Sequence, residues 1–228
     1  PLTLRGENSQ NTTLRLKGGP LSFFGIHITT NNVLLTGFTI TYDAPPVILV
    51  AIDGRKNPCF NNTVRGNILI NVQTDTLVVH SSMGNRLLDN IVYCDKDGSC
   101  IAVVDNSDST IVQNNTVIGG WVGIYCDWGE NYMILDNFVT KQTMWEEVSS
   151  GAIFFMFVSN SSVIGNTITE NDIGFTVFRS SDNIFYHNNF TNNIIQAYVS
   201  ESGYANFWDN GYPSGGNYWS DYKGTDLL

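Results

Sequence analysis

Three residues that could transfer protons recur at a regular interval in the middle of the chain. His80, Asp105 and Asp127 are separated by 25 and 22 residues, close to a repeat found throughout the sequence. If each repeat is one coil of strands stacked ~4.8 Å apart, these side chains form a ladder on one outer face. Two carboxylates about 5–5.5 Å apart suit a retaining glycosidase, so the three are candidate catalytic residues for sugar chemistry. The alternative is a polar outer face without activity.

Two tryptophans could supply the stacking surface that a sugar needs. Trp128 follows Asp127 directly, and Trp145 lies in a long insertion between two repeats. An indole presents a large amphipathic ring on which a glycan can stack. Insertions in repeat proteins often project from the binding face, although a surface loop without a ligand is the alternative for Trp145.

The elements that must position these residues follow from the repeat itself. A small or polar residue, two or three Val, Ile or Leu positions and then a closing residue recur along the chain. The closing residues are Gly37, Asn67, Asn90, Asn114, Asn137, Asn166, Asn188 and Asn210. Successive differences are 30, 23, 24, 23, 29, 22 and 22 residues.

Each repeat contains two or three short runs rich in Val, Ile, Phe and Thr, with no helical periodicity. A leucine-rich repeat has a similar length, but it needs a Leu-x-x-Leu-x-Leu scaffold that is absent here. The pattern therefore predicts an all-β fold, a right-handed parallel β-helix of about nine coils with 22–24 residues each.

The recurring asparagines have a structural explanation. An inward Asn at the same bend of every coil can exchange amide hydrogen bonds with the Asn above and below it. Breaking one rung would leave buried polar groups unpaired, at roughly 1–3 kcal/mol. We therefore expect a structural ladder of Asn67, Asn90, Asn114, Asn137, Asn166, Asn188 and Asn210.

The whole chain, residues 1–228, is expected to form one β-helix domain. The two longest intervals carry loop insertions, near residues 42–59 and 141–150. Aromatic residues crowd the segment 205–226, which we expect to cap the last coil, because an exposed final coil is an unpaired edge. Pro1 begins in strand-like sequence, so an N-terminal capping coil is expected to be missing. With the first coil uncapped, end-to-end self-association is a further expectation.

The cysteines and acidic residues give few metal or cofactor signals. Cys94 and Cys100 flank a five-residue loop and could close a disulfide, whereas Cys59 and Cys126 are too many coils apart. The same loop has a partial Asp-x-Asp-Gly calcium spacing but lacks the distal Glu. No cofactor and no metal site is predicted, and calcium at this loop is the one alternative.

Composition excludes some partners. The formal net charge is −10, and the 11 Lys and Arg residues are scattered, so neither nucleic acid nor insertion into a membrane is expected. Five N-glycosylation motifs begin at Asn11, Asn61, Asn114, Asn160 and Asn189. Asn114 is expected to be buried in the ladder, which leaves the other four as candidate glycosylation sites of a surface glycoprotein.

The repeats and the ending resemble a known family. The segments Trp208-Asp-Asn-Gly211 and Asn217-Tyr-Trp-Ser-Asp-Tyr222 are similar to the end of NosD-like proteins, and Pro1-Leu-Thr-Leu-Arg-Gly-Glu7 resembles their second coil. This family belongs to the carbohydrate-binding and sugar-hydrolase (CASH) group of β-helices and has many archaeal exported members. The resemblance implies an extracellular or cell-surface location.

Three functions remain open on this basis. The first is a non-catalytic envelope, adhesion or assembly component that contacts polysaccharide or other cell-envelope partners. The second is a polysaccharide lyase or glycoside hydrolase that uses an outer sheet face. The third, implied by the founding NosD members, is an accessory role in copper-site maturation, although His27, His80 and His187 lie in separate coils and copper needs gathered imidazole or sulfur ligands.

Overall fold

The fold is a right-handed parallel β-helix, as the repeat predicted. The computed structural model describes residues 2–17, 23–43, 47–71, 74–95, 98–144, 150–200 and 205–224. Every pairing between named strands in these segments is parallel. Each strand pairs with the equivalent strand of the next coil, so three sheets run along the solenoid.

The strands are numbered in chain order. The first sheet contains β1 (Leu2–Arg5), β4 (Val33–Thr36), β7 (Thr63–Arg65), β10 (Arg86–Leu88), β13 (Ile111–Gln113), β16 (Met133–Leu135), β19 (Ser162–Ile164) and β22 (Ile184–Tyr186). The second contains β2 (Thr13–Leu16), β5 (Thr39–Tyr42), β8 (Ile68–Asn71), β11 (Ile91–Cys94), β14 (Thr116–Ile118), β17 (Phe138–Thr140), β20 (Thr167–Thr169), β23 (Asn189–Thr191) and β25 (Tyr218–Trp219). The third contains β3 (Phe24–Ile28), β6 (Ile48–Asp53), β9 (Leu77–His80), β12 (Ser99–Val104), β15 (Val122–Glu130), β18 (Gly151–Ser159), β21 (Ile173–Phe178) and β24 (Ile195–Ser200).

The core is a stack of apolar side chains inside the three sheets. Side chains alternate along a strand, so the central residue of each three-residue strand points inward. On the first sheet these fully buried residues are Val64, Leu87, Val112, Ile134, Val163 and Phe185. Burying such a side chain stabilises the fold by about 1.5–3 kcal/mol relative to leaving it exposed, and the outward neighbours are free to vary.

A two-residue turn joins the first sheet to the second in the seven coils from β4 to β23. Its first residue has a positive φ, a conformation that Gly, Asn, Asp and His adopt more readily than other residues. These residues are Gly37, Gly66, Asp89, Asn114, Asp136, Gly165 and His187. The second residue is buried and is Asn in every one of these turns except the first, where Phe38 takes its place.

The buried turn residues form the asparagine ladder. The rungs are Asn67, Asn90, Asn115, Asn137, Asn166, Asn188 and Asn217. Each side-chain amide donates to the carboxamide oxygen of the next rung at 2.9–3.2 Å. The same oxygen also accepts from the backbone N–H of the preceding rung, so the ladder satisfies the turn as well as itself.

The predicted ladder is wrong at two positions. Asn114 is exposed with φ 55°, because it takes the left-handed position of the turn and leaves the rung to Asn115. Asn210 is also exposed. The chain loops out there through an antiparallel bridge between Asp209 and Gly216, and it rejoins the ladder at Asn217.

Aromatic residues lie against the end of the core in the last coil. The Trp208 ring is 4.8 Å from that of Phe185 in an edge-to-face contact, and Trp219 stacks on Phe190 at 4.4 Å with an interplanar angle of 8°. Tyr212 and Tyr218 are exposed in the same segment. Two tryptophans therefore cover the apolar end, while the tyrosines face outward. In the described part of the chain, no helix is long and apolar enough to cross a membrane.

Candidate functional site

The outer face of the third sheet carries a row of functional side chains in register. Asp53 of β6 pairs with His80 of β9, which pairs with Val104 of β12. The next position along the row is Asp127 of β15, which pairs with Met156 of β18, and that in turn pairs with Phe178 of β21. We call these six residues the outer row. Their inward neighbours, such as Val79, Val103 and Cys126, are fully buried, so the alternation of the strands forces the row outward.

The first half of the outer row is ionic. The Nε2 atom of His80 lies 2.7 Å from Oδ2 of Asp105, which reaches back from the turn after β12. Asp53 accepts two hydrogen bonds from the Arg55 guanidinium, at 2.8 and 2.9 Å, and lies 3.1 Å from Nε2 of His27. These groups belong to consecutive coils and form a line of alternating basic and acidic side chains along the solenoid.

The surroundings shift the pKa values of these groups. The hydrogen bonds from Arg55 hold the pKa of the Asp53 carboxyl well below its usual range. Burial lowers the pKa of His80, although the neighbouring Asp105 carboxylate opposes this. Near neutral pH, His80 is therefore a neutral imidazole held by a carboxylate, which is the arrangement of a general base.

Asp127 has a different environment from the other acidic residues. Its Oδ1 atom is buried and accepts no hydrogen bond from the described residues. Burial raises the pKa of the Asp127 carboxyl, and the nearby Asp105 carboxylate raises it further, while the Tyr125 hydroxyl acts in the opposite direction. A carboxyl with a raised pKa can hold a proton and donate it, so Asp127 is suited to act as a general acid or as a hydrogen-bond donor.

The second half of the outer row opens into an aromatic groove. The groove has a volume of about 820 Å³. It is lined by Trp121, Tyr125, Phe154, Met156, Phe178 and Tyr198, with polar groups such as Ser99 and Ser200 at its margins. It crosses the strands from β12 to β24 and so runs along the solenoid axis for about 19 Å at ~4.8 Å per strand. Met156 and Phe178 belong to the outer row. The groove therefore continues directly from the half of the row that contains Asp53 and His80, which we call the ionic half.

The predicted catalytic residues are brought together only in part. His80 and Asp105 are in contact, with 2.7 Å between Nε2 and Oδ2, but Asp105 lies one position beyond the row that contains His80 and Asp127. Asp105 is instead aligned with Trp128, whose carbonyl oxygen accepts from the N–H of Asn106. Asp105 is offset from the row by one position because it lies in the turn after β12, where its backbone is left-handed with φ 53°.

Trp128 is exposed and stacks on an aromatic neighbour. Its ring lies 4.2 Å from the ring of Phe157 in the next coil, at an interplanar angle of 25°. Both residues have positive φ values, 42° and 54°, which is strained for bulky side chains. Trp145, the other tryptophan predicted to stack on sugar, lies outside the described residues.

Sequence reasoning missed half of the ionic cluster. Asp53 and Arg55 were assigned only to a loop insertion, and Tyr125 was not singled out. The signal was present, because Asp53 ends the otherwise apolar strand Ile48–Asp53 and precedes His80 by 27 residues, close to one coil. The three to five residues by which that interval exceeds a coil of 22–24 residues concealed the register.

The cysteines are arranged as the spacing indicated. Cys94 and Cys100 form a disulfide with a Cα–Cα distance of 5.5 Å. Cys59 and Cys126 are buried free thiols, and burial raises the pKa of both. Part of the loop with the calcium-like spacing, Lys96 and Asp97, lies outside the described residues.

The glycosylation motifs lie at the surface. Asn11, Asn61, Asn160 and Asn189 are all exposed. Asn114 is exposed too, so the expectation that it is a buried and poor acceptor is wrong. Three of the five, Asn61, Asn114 and Asn160, occupy left-handed turn positions, where the side chain projects from the coil.

The fold and the face together define an elongated parallel β-helix with a lateral groove. The chain belongs to the NosD family: the family described as periplasmic copper-binding protein (NosD) matches residues 25–224. No curated protein matches the chain significantly.

Two solved structures share the fold. The A-module of mannuronan C-5 epimerase AlgE4 from Azotobacter vinelandii has a TM-score of 0.57 and 14% identity, over 82% of this chain and 61% of that module. A mutant of the periplasmic alginate epimerase AlgG has a TM-score of 0.62 and 14% identity, over 88% of this chain and 65% of AlgG. The chain thus spans 61–65% of the length of these proteins, and at this identity the likeness shows the fold alone.

The described residues do not fit the copper that the family description implies. No group of three or more His, Cys, Asp or Glu side chains in this part of the chain is arranged to hold a metal ion. His187 lies in the turn after β22, with Nε2 2.7 Å from the carbonyl oxygen of Ser214, whereas His27 and His80 are on the third sheet. Met83 and Met133 are exposed in separate coils. Copper needs soft or imidazole ligands that converge, and these donors are dispersed.

Proposed function

We propose that the chain is an envelope-side β-helix that binds a polysaccharide along the outer face of its third sheet. The observation that supports this most strongly is the aromatic groove that continues from the ionic half of the outer row. The NosD family is described as periplasmic, and polysaccharides are abundant partners on that side of the membrane. This proposal makes the chain a binding component whose fold supplies a long, straight contact surface.

The groove has the chemistry that a sugar chain requires. Tyr125 and Tyr198 present rings with a polar hydroxyl, which can stack on the apolar face of a sugar and still bond its hydroxyl groups. Ser99 and Ser200 line the same groove, and their hydroxyl groups can donate to and accept from sugar hydroxyls. A groove of about 19 Å has room for several sugar residues laid along the solenoid axis.

A matched pair of tyrosine substitutions tests this proposal. Tyr198→Ala removes a groove ring, and Tyr93→Ala removes a 40% exposed ring from the second sheet. Alginate, polygalacturonate and cellulose oligosaccharides are titrated calorimetrically, with alginate included because the two structures compared above are epimerases of mannuronan and alginate. One lost stacking contact of about 1–1.4 kcal/mol predicts five- to ten-fold weaker binding for Tyr198→Ala alone. Equal affinity of the two variants for every bound glycan would contradict the groove assignment.

A second candidate function, a polysaccharide lyase, is favoured by the pairing of His80 with Asp105. In this reaction neutral His80 removes the proton on the carbon next to a uronate carboxylate. The electron pair forms a carbon–carbon double bond, the glycosidic carbon–oxygen bond breaks, and the leaving oxygen takes the proton of Asp127 when that carboxyl group is in its acid form. The two groups have pKa values shifted in the directions that these roles require.

Ultraviolet absorbance of an unsaturated uronate product tests the second candidate. Wild-type protein should generate this absorbance from alginate or polygalacturonate, and His80→Gln should abolish it while leaving glycan binding within about three-fold. The control variant His187→Gln changes a residue in the turn after β22, away from the third sheet, and should retain full activity. If wild-type protein binds these glycans without forming the product, the lyase assignment fails and the binding assignment stands.

A further inference from the structure

The outer face of the first sheet has a second groove, which is polar and positively charged. It has a volume of about 790 Å³ and crosses β1, β4, β7 and β10. Three arginines line it: Arg5, Arg65 and Arg86. Between them lie hydroxyl and amide side chains, among them Thr36 and Asn61. The groove shares no lining residue with the aromatic groove on the third sheet.

The strand register fixes the spacing of the three arginines. Arg5 pairs with Thr36, which pairs with Arg65, so the two arginines stand two coils apart, at about 9–10 Å. Arg86 pairs with Thr63 and therefore lies one coil beyond Arg65 and two residues back along the strand. The three guanidinium groups form an array along one straight sheet face.

The concentration of positive charge here is unusual for this chain. The chain has a net charge of −10 and contains six arginines, half of which line this groove. The Asp89 carboxylate neutralises one of them, because its Oδ2 atom lies 2.7 Å from Nε of Arg65. Arg5 and Arg86 are exposed and make no ion pair with any described carboxylate. Two guanidinium groups are thus left with their donors directed to solvent.

We propose that this groove binds an acidic polysaccharide, one that carries carboxylate or sulfate groups along an extended chain. A guanidinium group presents a planar fork of donors that matches such anions in two-point contacts. Arg5 and Arg86 bind the anionic groups, and the threonine hydroxyls and the Asn61 amide bind the sugar hydroxyls between them. This site is independent of the groove on the third sheet.

The geometry favours a linear glycan over the other polyanions. Nucleic acid binding depends on neutralising many phosphates at once, whereas this groove offers two unpaired arginines. A planar anionic membrane would approach the negatively charged surface around the groove as well as the arginines. A single extended sugar chain contacts only the groove, so it gains the attraction without that repulsion.

The test compares two variants with the same change in net charge. Arg5→Gln with Arg86→Gln removes the unpaired groove charges, and Lys17→Gln with Lys141→Gln removes two charges elsewhere. The full chain is produced in a bacterium without N-glycosylation, so that Asn61 in the groove stays bare. Heparin oligosaccharide and polygalacturonate are the acidic probes, dextran is the neutral probe, and phosphatidylglycerol vesicles are the membrane probe. Thermal unfolding confirms that each variant is folded.

We expect wild-type protein to bind at least one acidic probe at low ionic strength, with affinity that falls as salt is added. The arginine variant should bind at least ten-fold more weakly, and the lysine variant should stay within two-fold of wild type. The proposal is overturned if neither acidic probe binds, if both variants lose affinity equally, or if dextran binds as tightly. It is also overturned if only the vesicles bind in an arginine-dependent way.

Discussion

The two neighbouring residues Asn114 and Asn115 offer a direct test of the asparagine ladder. Replacing Asn115 with Ala removes a side chain that is 1% exposed and that makes five hydrogen bonds. Its amide donates to the carbonyl oxygens of Leu87 and Gln113 and to Oδ1 of Asn137, and its Oδ1 accepts from both nitrogens of Asn90.

The magnitude follows from which groups lose a partner. The Asn90 side-chain amide keeps its bond to the Val64 carbonyl oxygen, but the buried Asn90 N–H has no other acceptor in the ladder. The unpaired Asn90 N–H should cost roughly 1–3 kcal/mol and the Leu87 carbonyl oxygen about 1 kcal/mol. Asn115→Ala should therefore lower the free energy of unfolding by about 2–4 kcal/mol. For a chain of this length, that is a fall in melting temperature of roughly 4–16 °C.

The control is Asn114→Gly, which keeps the left-handed turn conformation without a side chain. Because Asn114 is exposed, its loss should change the free energy of unfolding by no more than about 0.5 kcal/mol. Thermal and urea unfolding followed by circular dichroism measure both variants. If Asn114→Gly destabilises the protein as much as Asn115→Ala, the assignment of the rung to Asn115 is refuted.

Three further outcomes are expected. Cys59 and Cys126 should resist alkylation in the native protein and react after unfolding, because both thiols are buried; rapid labelling of either one in the native state would contradict the buried assignment. Since the folded-state pKa of His80 is lowered from 6.5, its contribution to stability is full above that pH and is lost as pH falls, so wild type should lose more stability than His80→Gln between pH 7 and 5. An equal loss in both proteins would show that another group titrates. In a host that N-glycosylates, Asn114 should be modified, as peptide mass spectrometry would show, and an unmodified peptide alongside modified Asn160 would count against its exposure.

The repeat was sufficient to predict the fold. Coil length, β-branched runs and a recurring Asn predicted a right-handed parallel β-helix, and the structure has that architecture. These signals are local, since strand alternation and turn chemistry are properties of a few adjacent residues. The same local signals could not decide between Asn114 and Asn115, because both are Asn and only φ and burial distinguish the turn position from the rung.

The candidate site depended on the tertiary structure. The interval of one coil brought His80 and Asp105 together correctly, but extra residues in other coils concealed Asp53 and Arg55. The two grooves were also invisible in the sequence, since Arg5, Arg65 and Arg86 are scattered along the chain and meet only when coils stack in register. Register depends on the exact length of every turn and insertion, and a shift of one residue moves a side chain from the core to the surface. The sequence by itself therefore determined the repeating coil, and the stacking of the coils decided which side chains share a face.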